Sequence, residues 1–144
     1  MSDPHDLQRF VDAQQPVFDQ VRAELQAGRK RTHWMWFVFP QIEGLGSSAM
    51  ARHYAIASRA EAEAYLGHPV LGPRLRELTR IVNDMQDRSA GQIFGYPDDM
   101  KFHSSMTLFA QCAGASGKEF DEALAKYFGG RADTATLDRL QETR

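Results

Sequence analysis

Cysteine is nearly absent from this chain; Cys112 is the single one. An intramolecular disulfide is therefore excluded, as is a zinc site built on two or more cysteines of one chain. Long hydrophobic runs are also missing. The longest, Trp34 to Phe39, falls far short of the roughly 20 apolar residues a membrane helix needs. The opening "MSDPHDLQRF" has no apolar signal region, so the expected location is the cytoplasm and no membrane partner is expected. Nor is there an excess of positive charge: 17 basic residues face 19 acidic ones, for a net charge of −2. Nucleic-acid binding, which normally relies on a basic surface, ranks last among the functions considered. The three cations of "GRKRTH" (Gly28 to His33) are expected to be a solvated helix end. No histidine pair has the HExxH or another metal spacing, so neither a metal nor a tightly held cofactor is expected.

What remains is the composition of an ordinary globular chain, 42% hydrophobic and 25% charged over 144 residues. That suits a single domain over residues 1–144, with a structured core from about residue 6 to 140. Its periodicity is helical. Leu7, Phe10, Val11, Phe18, Val21 and Leu25 share one face, with a break near Pro16. Ser47 or Ser48 caps a short helix from Ala49, and Ser58 with Glu61 reads as a capping box. His68 before Pro69 serves a helix start. The helix that follows carries Leu71, Leu75, Leu78, Val82 and Met85 as its core stripe. Asp98 or Asp99 is expected to cap a helix that turns Phe102, Met106 and Phe109 inward. Helices over Lys118 to Tyr127 and Thr134 to Leu140 complete a mainly α fold of about six to eight helices.

One stretch resists this pattern. "HWMWFVFPQ" (His33 to Gln41) holds both tryptophans. It is strand-length but has no strand to pair with, so it reads as an extended or irregular buried segment with at most one helical turn. In an extended chain Trp34 and Trp36 share one side, and Met35, Phe37 and Phe39 the other. One set fills the core; the other covers a groove where a planar ring can stack. A plain core plug is the alternative. His33 adjoins the run, and burial of one ring edge would favour a neutral imidazole suited to hydrogen bonding or base catalysis; a satisfied core histidine is the alternative.

Two further stretches carry candidate chemistry. "GLGSS" (Gly44 to Ser48) can offer backbone N–H groups to an anion, although it is neither a P-loop nor a dinucleotide fingerprint, and a turn with a cap explains it as well. "YPDDMKFHSSMTLF" (Tyr96 to Phe109) puts Lys101, Ser104 and Ser105 on one side of a helix. Lys101 stands in the first turn, where the helix dipole disfavours a cation, so it needs a partner such as Asp98, Glu43 or an anionic ligand. A carboxyl held against either tryptophan would keep its proton more readily and act as a general acid. A core helix with a polar rim accounts for the stretch equally.

Three segments, "GRKRTHWMWFVFPQIEGLGSSAMARHYAI", "EAEAYLGHPVLGPRLRE" and "IFGYPDDMKFHSSMTLF", resemble in order the hallmark stretches of the domain of unknown function 1810 family. The resemblance spans about residues 6 to 140. Bacterial members are sometimes labelled calpastatin-like, and nothing in these residues supports that label. The resemblance implies a small, mainly helical protein of unestablished activity. It marks Lys30, His33, Trp34, Trp36, Pro40, Gln41, Gly44, Gly46 and Ser48, then Gly72 and Arg74, then Asp98, Lys101, Ser104 and Ser105. A remoter similarity leads to the NAD- and ADP-ribose-associated domain family, whose members cleave N-glycosidic bonds in pockets of aromatic, lysine and carboxylate residues; it is an analogy without residue-by-residue alignment. The expected function is hydrolysis of an N-glycosidic bond in a nucleotide-like or ADP-ribose-like small molecule. In that expectation Asp98, Glu43 and His33 are catalytic. Trp34, Trp36, Gln41, Gly44, Gly46, Ser48, Arg74, Lys101, Ser104 and Ser105 bind the ligand. The rival expectation is a noncatalytic module binding a small molecule or a protein through the same groove.

Overall fold

Proline cannot continue a helix without losing a hydrogen bond. The N-terminal stripe accordingly splits at Pro16 into α1 (Gln8–Gln14) and α2 (Phe18–Gln26) in the computed structural model, which describes residues 3–142. Residues 1, 2, 143 and 144 of the expected domain lie outside the described residues. Eight further α-helices follow: α3 (Met35–Val38), α4 (Ala49–His53), α5 (Arg59–Gly67), α6 (Leu71–Asn83), α7 (Ala90–Phe94), α8 (Asp98–Ala113), α9 (Lys118–Phe128) and α10 (Thr134–Glu142). A 3₁₀ turn, Gly114–Ser116, links α8 to α9. Among the described residues no strand forms, so the mainly α expectation holds. The helix count exceeds the expected six to eight; the short helix expected from Ala49 is there as α4, while the four residues of α3 are too few to show a 3.6-residue period. None of these helices is long and apolar enough to cross a membrane.

The aromatic run departs from the extended form. Met35–Val38 winds into one helical turn, so the alternation of sides does not apply. Trp34, Met35, Phe37, Val38 and Phe39 are all buried. Phe39 stands edge-on to Phe94 and Phe102, and these two rings stack with centroids 4.5 Å apart. Most of the run is thus a plug. Only Trp36 stays half-buried.

The helix starts show which local signals were decisive. Ser58 accepts from the Glu61 N–H at 3.2 Å, but the Glu61 carboxylate turns to the Ala57 N–H and to Arg9 instead of closing a capping box. The complete capping box is Ser89 with Gln92, at the start of α7. His68 serves the start of α6, its Nδ1 accepting from the Val70 and Leu71 N–H groups. Neither Asp98 nor Asp99 caps α8. Pro97 precedes the helix, and both aspartates stand in its first turn, where their charge suits the dipole.

α8 is the central helix, packed by α5, α7, α9 and α10. From Ser104 to Phe109 every residue is buried, which a helix facing water on one side would not show. Its N-terminal turn, in contrast, reaches the surface with Met100 and Lys101. Among the described residues one backbone bridge joins extended segments, Ile42 to Ile56, with the Ile56 N–H donating to the Gln41 carbonyl and the Glu43 N–H to the Ile56 carbonyl.

Candidate functional site

A groove of about 330 Å³ opens at the first turns of α8. That lies at the lower end of the range that holds small molecules. Gln41, Leu45 and Gly46 line it from the chain after α3, Tyr96, Pro97, Met100, Lys101 and Ser104 from the start of α8 and the turn before it, and Asp133 and Ala135 from the start of α10. Tyr96 is 82% exposed and Met100 57%, so two large apolar side chains stand at the rim with little packed on them.

Charge at one end comes from a ladder. The Lys30 ammonium is 2.8 Å from Asp98 Oδ2, and Lys101 is 3.6 Å from Asp98 Oδ1. The Lys30 side chain is only 6% exposed. It also donates to the Thr32 carbonyl and lies over the Trp34 ring, while Lys101 lies over the Trp36 ring, 5.3 Å from its centroid. Among the described residues no other carboxylate comes within 4.0 Å of either ammonium. Two cations therefore share one anion, and the surplus charge falls on Lys101, the one that faces the groove. Lys30 corrects the view of "GRKRTH" as a solvated run: Arg29 and Arg31 are exposed, but Lys30 folds inward.

At the other end stands Asp133. It caps α10: its Oδ2 accepts from the Thr136 N–H and hydroxyl and from Ser104 Oγ at 2.9 Å. Its own N–H donates to Thr107 Oγ1, whose hydroxyl is anchored on the His103 carbonyl. Asp133 was not picked out in the sequence because it is 29 residues from Ser104 and only the fold joins them. The available signal was the aspartate before Thr134, an N-cap pattern for the terminal helix.

The structure sorts the sequence candidates. Gln41, Gly46, Lys101 and Ser104 line the groove, and Asp98 and Trp36 adjoin it through Lys101. The others stand elsewhere. Trp34 is 1% exposed and its indole N–H donates to Glu24, so it is core rather than wall. His33 is exposed, so the apolar burial expected to keep its ring neutral is missing. Glu43 is exposed and engages through its backbone, its carbonyl accepting from Arg139. Gly44 lies beneath the Arg139 guanidinium at φ +99°, a backbone conformation that disfavours any side chain. Ser48 spends its hydroxyl capping α4 at Ala51, which leaves "GLGSS" a turn and cap rather than an anion cradle. Ser105 is fully buried, with no partner for its hydroxyl among the described residues. Arg74 reaches to Gln14 and Gln15 and covers Phe18, away from the groove lining.

Glu24 also went unremarked in the sequence. It is 3% exposed, and its carboxylate accepts from Gln20, the Arg31 and Thr32 N–H groups, the Thr32 hydroxyl and the Trp34 indole. Burial pushes its carboxyl up, but these hydrogen bonds outweigh it and hold the group at about 2. Burial pushes the Cys112 thiol up to about 11, with Arg59 opposing only in part, which disfavours the reactive thiolate. Alkylation at pH 7.5 is expected to run roughly a hundredfold slower than in denaturant, from the lost thiolate fraction alone. Equal rates, followed by mass spectrometry, would show that the thiol is open.

The chain matches the family described as "Protein of unknown function (DUF1810)" over residues 4–140 and belongs to it. A solved structure, that of the conserved hypothetical protein Rv1873 from Mycobacterium tuberculosis, is similar at 57% identity and a TM-score of 0.94. The match covers 96% of this chain and 99% of that one. No curated protein matches. The comparisons give no support to the remoter likeness to the NAD- and ADP-ribose-associated domain family.

Proposed function

We propose that the groove binds a small anionic molecule of nucleotide-like form. One observation carries this reading: Lys101 faces the groove while sharing Asp98 with the buried Lys30. A surplus ammonium at the mouth of a concave site is a natural partner for phosphate. Tyr96 and Met100 at the rim supply apolar surface for a ring. The cytoplasm, where phosphorylated metabolites abound, is the compartment this reading requires.

Lys101→Ala is expected to weaken binding of anionic ligands roughly tenfold or more, the usual value of a charge-assisted contact. Stability should change little, because a partly exposed pair at 3.6 Å contributes about 1 kcal/mol or less. Calorimetric titration with AMP and ADP-ribose, beside a thermal melt, checks both. Unfolding of the variant would make Lys101 a structural residue instead.

A second reading, hydrolysis of an N-glycosidic bond in the same ligand, is favoured by Asp133 alone. Both oxygens of Asp98 face lysines, and Glu43 is exposed and outside the groove lining. Asp133 lines the groove and its Oδ1 takes no hydrogen bond among the described residues, so it can take a proton from water as the water oxygen bonds the anomeric carbon. The carbon–nitrogen bond breaks, and its electron pair leaves with the nitrogen. Chromatography of the titrated mixtures separates the readings: released base supports hydrolysis, and saturation without product supports binding alone.

A further inference from the structure

We infer that the groove selects anionic ligands that also carry sugar-type hydroxyls, and that Asp133 is the residue that selects them. This rests on the anion-binding reading above. Among the described residues, Asp133 Oδ2 takes three hydrogen bonds while Oδ1 takes none. The bonds from Ser104 and Thr136, with the backbone tie to Thr107, fix the carboxylate before any ligand arrives. Ser104 donates its proton to Asp133 or to the Met100 carbonyl and has none left for a ligand. An ionised carboxylate only accepts, and an ammonium only donates. The two ends of the groove therefore ask for different chemistry: an anion at Lys101 and a hydrogen-bond donor at Asp133.

Their spacing narrows the class. Lys101 and Ser104 are three residues apart on α8, about 5–6 Å between side-chain bases, and Asp133 lies one hydrogen bond beyond Ser104. Inorganic phosphate, a single tetrahedron, reaches one end only. A phosphorylated sugar, with several bonds between its phosphate and its ring hydroxyls, reaches both.

The test is calorimetric titration of the full chain with ribose 5-phosphate, butyl phosphate and phosphoethanolamine. Wild type is expected to bind ribose 5-phosphate roughly tenfold or more tighter than butyl phosphate, the same anion without hydroxyls. Asp133→Asn keeps a good N-cap and its carbonyl can still accept from Ser104 and Thr136, but it turns an NH₂ group to the groove. It should abolish the preference, and butyl phosphate, relieved of a like charge, should bind at least as tightly as to wild type. Should the variant not fold, the wild-type comparison alone decides. Equal binding of ribose 5-phosphate and butyl phosphate would overturn the inference and leave the anion groove standing. Tighter binding of phosphoethanolamine than of ribose 5-phosphate would overturn selection by hydroxyls. Binding of none of the three would overturn the anion-binding reading, and the inference with it.

Discussion

Glu24→Ala is expected to lower the stability of the fold by about 3–5 kcal/mol, the cost of stripping a buried, fully bonded charge from its partners. The carboxylate ties α2 to the loop over residues 30–34 and to the aromatic plug behind it. Without it the Arg31 and Thr32 N–H groups and the Trp34 indole lose their acceptor, and the indole is too buried to find water. The same carboxyl sets an acid limb. Its folded value of about 2 lies below its ordinary 4.5, so its contribution is complete above pH 4.5 and is lost as the pH falls toward 2. That loss is about 3 kcal/mol in the wild type. Glu24→Gln should flatten the limb while melting lower at neutral pH. Urea titrations at pH 7, 4 and 2.5 check both. A Glu24→Ala protein as stable as the wild type, or an unchanged acid limb in Glu24→Gln, would show that the network contributes little.

Gly72→Ala should cost about 2–3 kcal/mol although alanine is the better helix former. A Cβ at Gly72 would stand 2.1 Å from the Leu66 carbonyl oxygen and 3.0 Å from its carbon. Both atoms are backbone, so neither can swing aside. The start of α6 and the end of α5 would have to separate, prying Leu71 and Tyr65 out of the core. The helix-propensity gain of about 1 kcal/mol is too small to offset that. Gly67→Ala, at the end of α5 with open space around its Cβ, is the control and should be neutral or slightly stabilising. Equal melting temperatures for the two variants would mean that the helices move apart freely.

Long helices were legible in the sequence because their faces repeat. The stripe from Leu71 to Val82 and the break at Pro16 both appear in the structure. One-turn helices were legible only where a cap marks them, as Ser48 does for α4; without one, four residues hold too little periodicity to separate a turn of helix from an extended run, and Met35–Val38 is the case in point. Local motif gave half of the groove. Lys101 was marked by its awkward place in a helix first turn, and Gln41 and Gly46 by the family resemblance. The other half comes from distant chain: Asp133 meets Ser104 only because α10 folds back on α8. Adjacency misled at His33, which neighbours the aromatic plug in sequence but stays outside it. It misled again at Ser105, one residue past the groove and turned wholly into the core.

The location of binding tests the account most directly. An amide-resolved NMR titration of the ¹⁵N-labelled protein with AMP is expected to shift Gly46, Tyr96, Lys101, Ser104 and Asp133 together, with one saturating curve. Shifts confined instead to the separate cleft lined by His68, Pro69, Arg76 and Arg80, with the α8 groove silent, would contradict it.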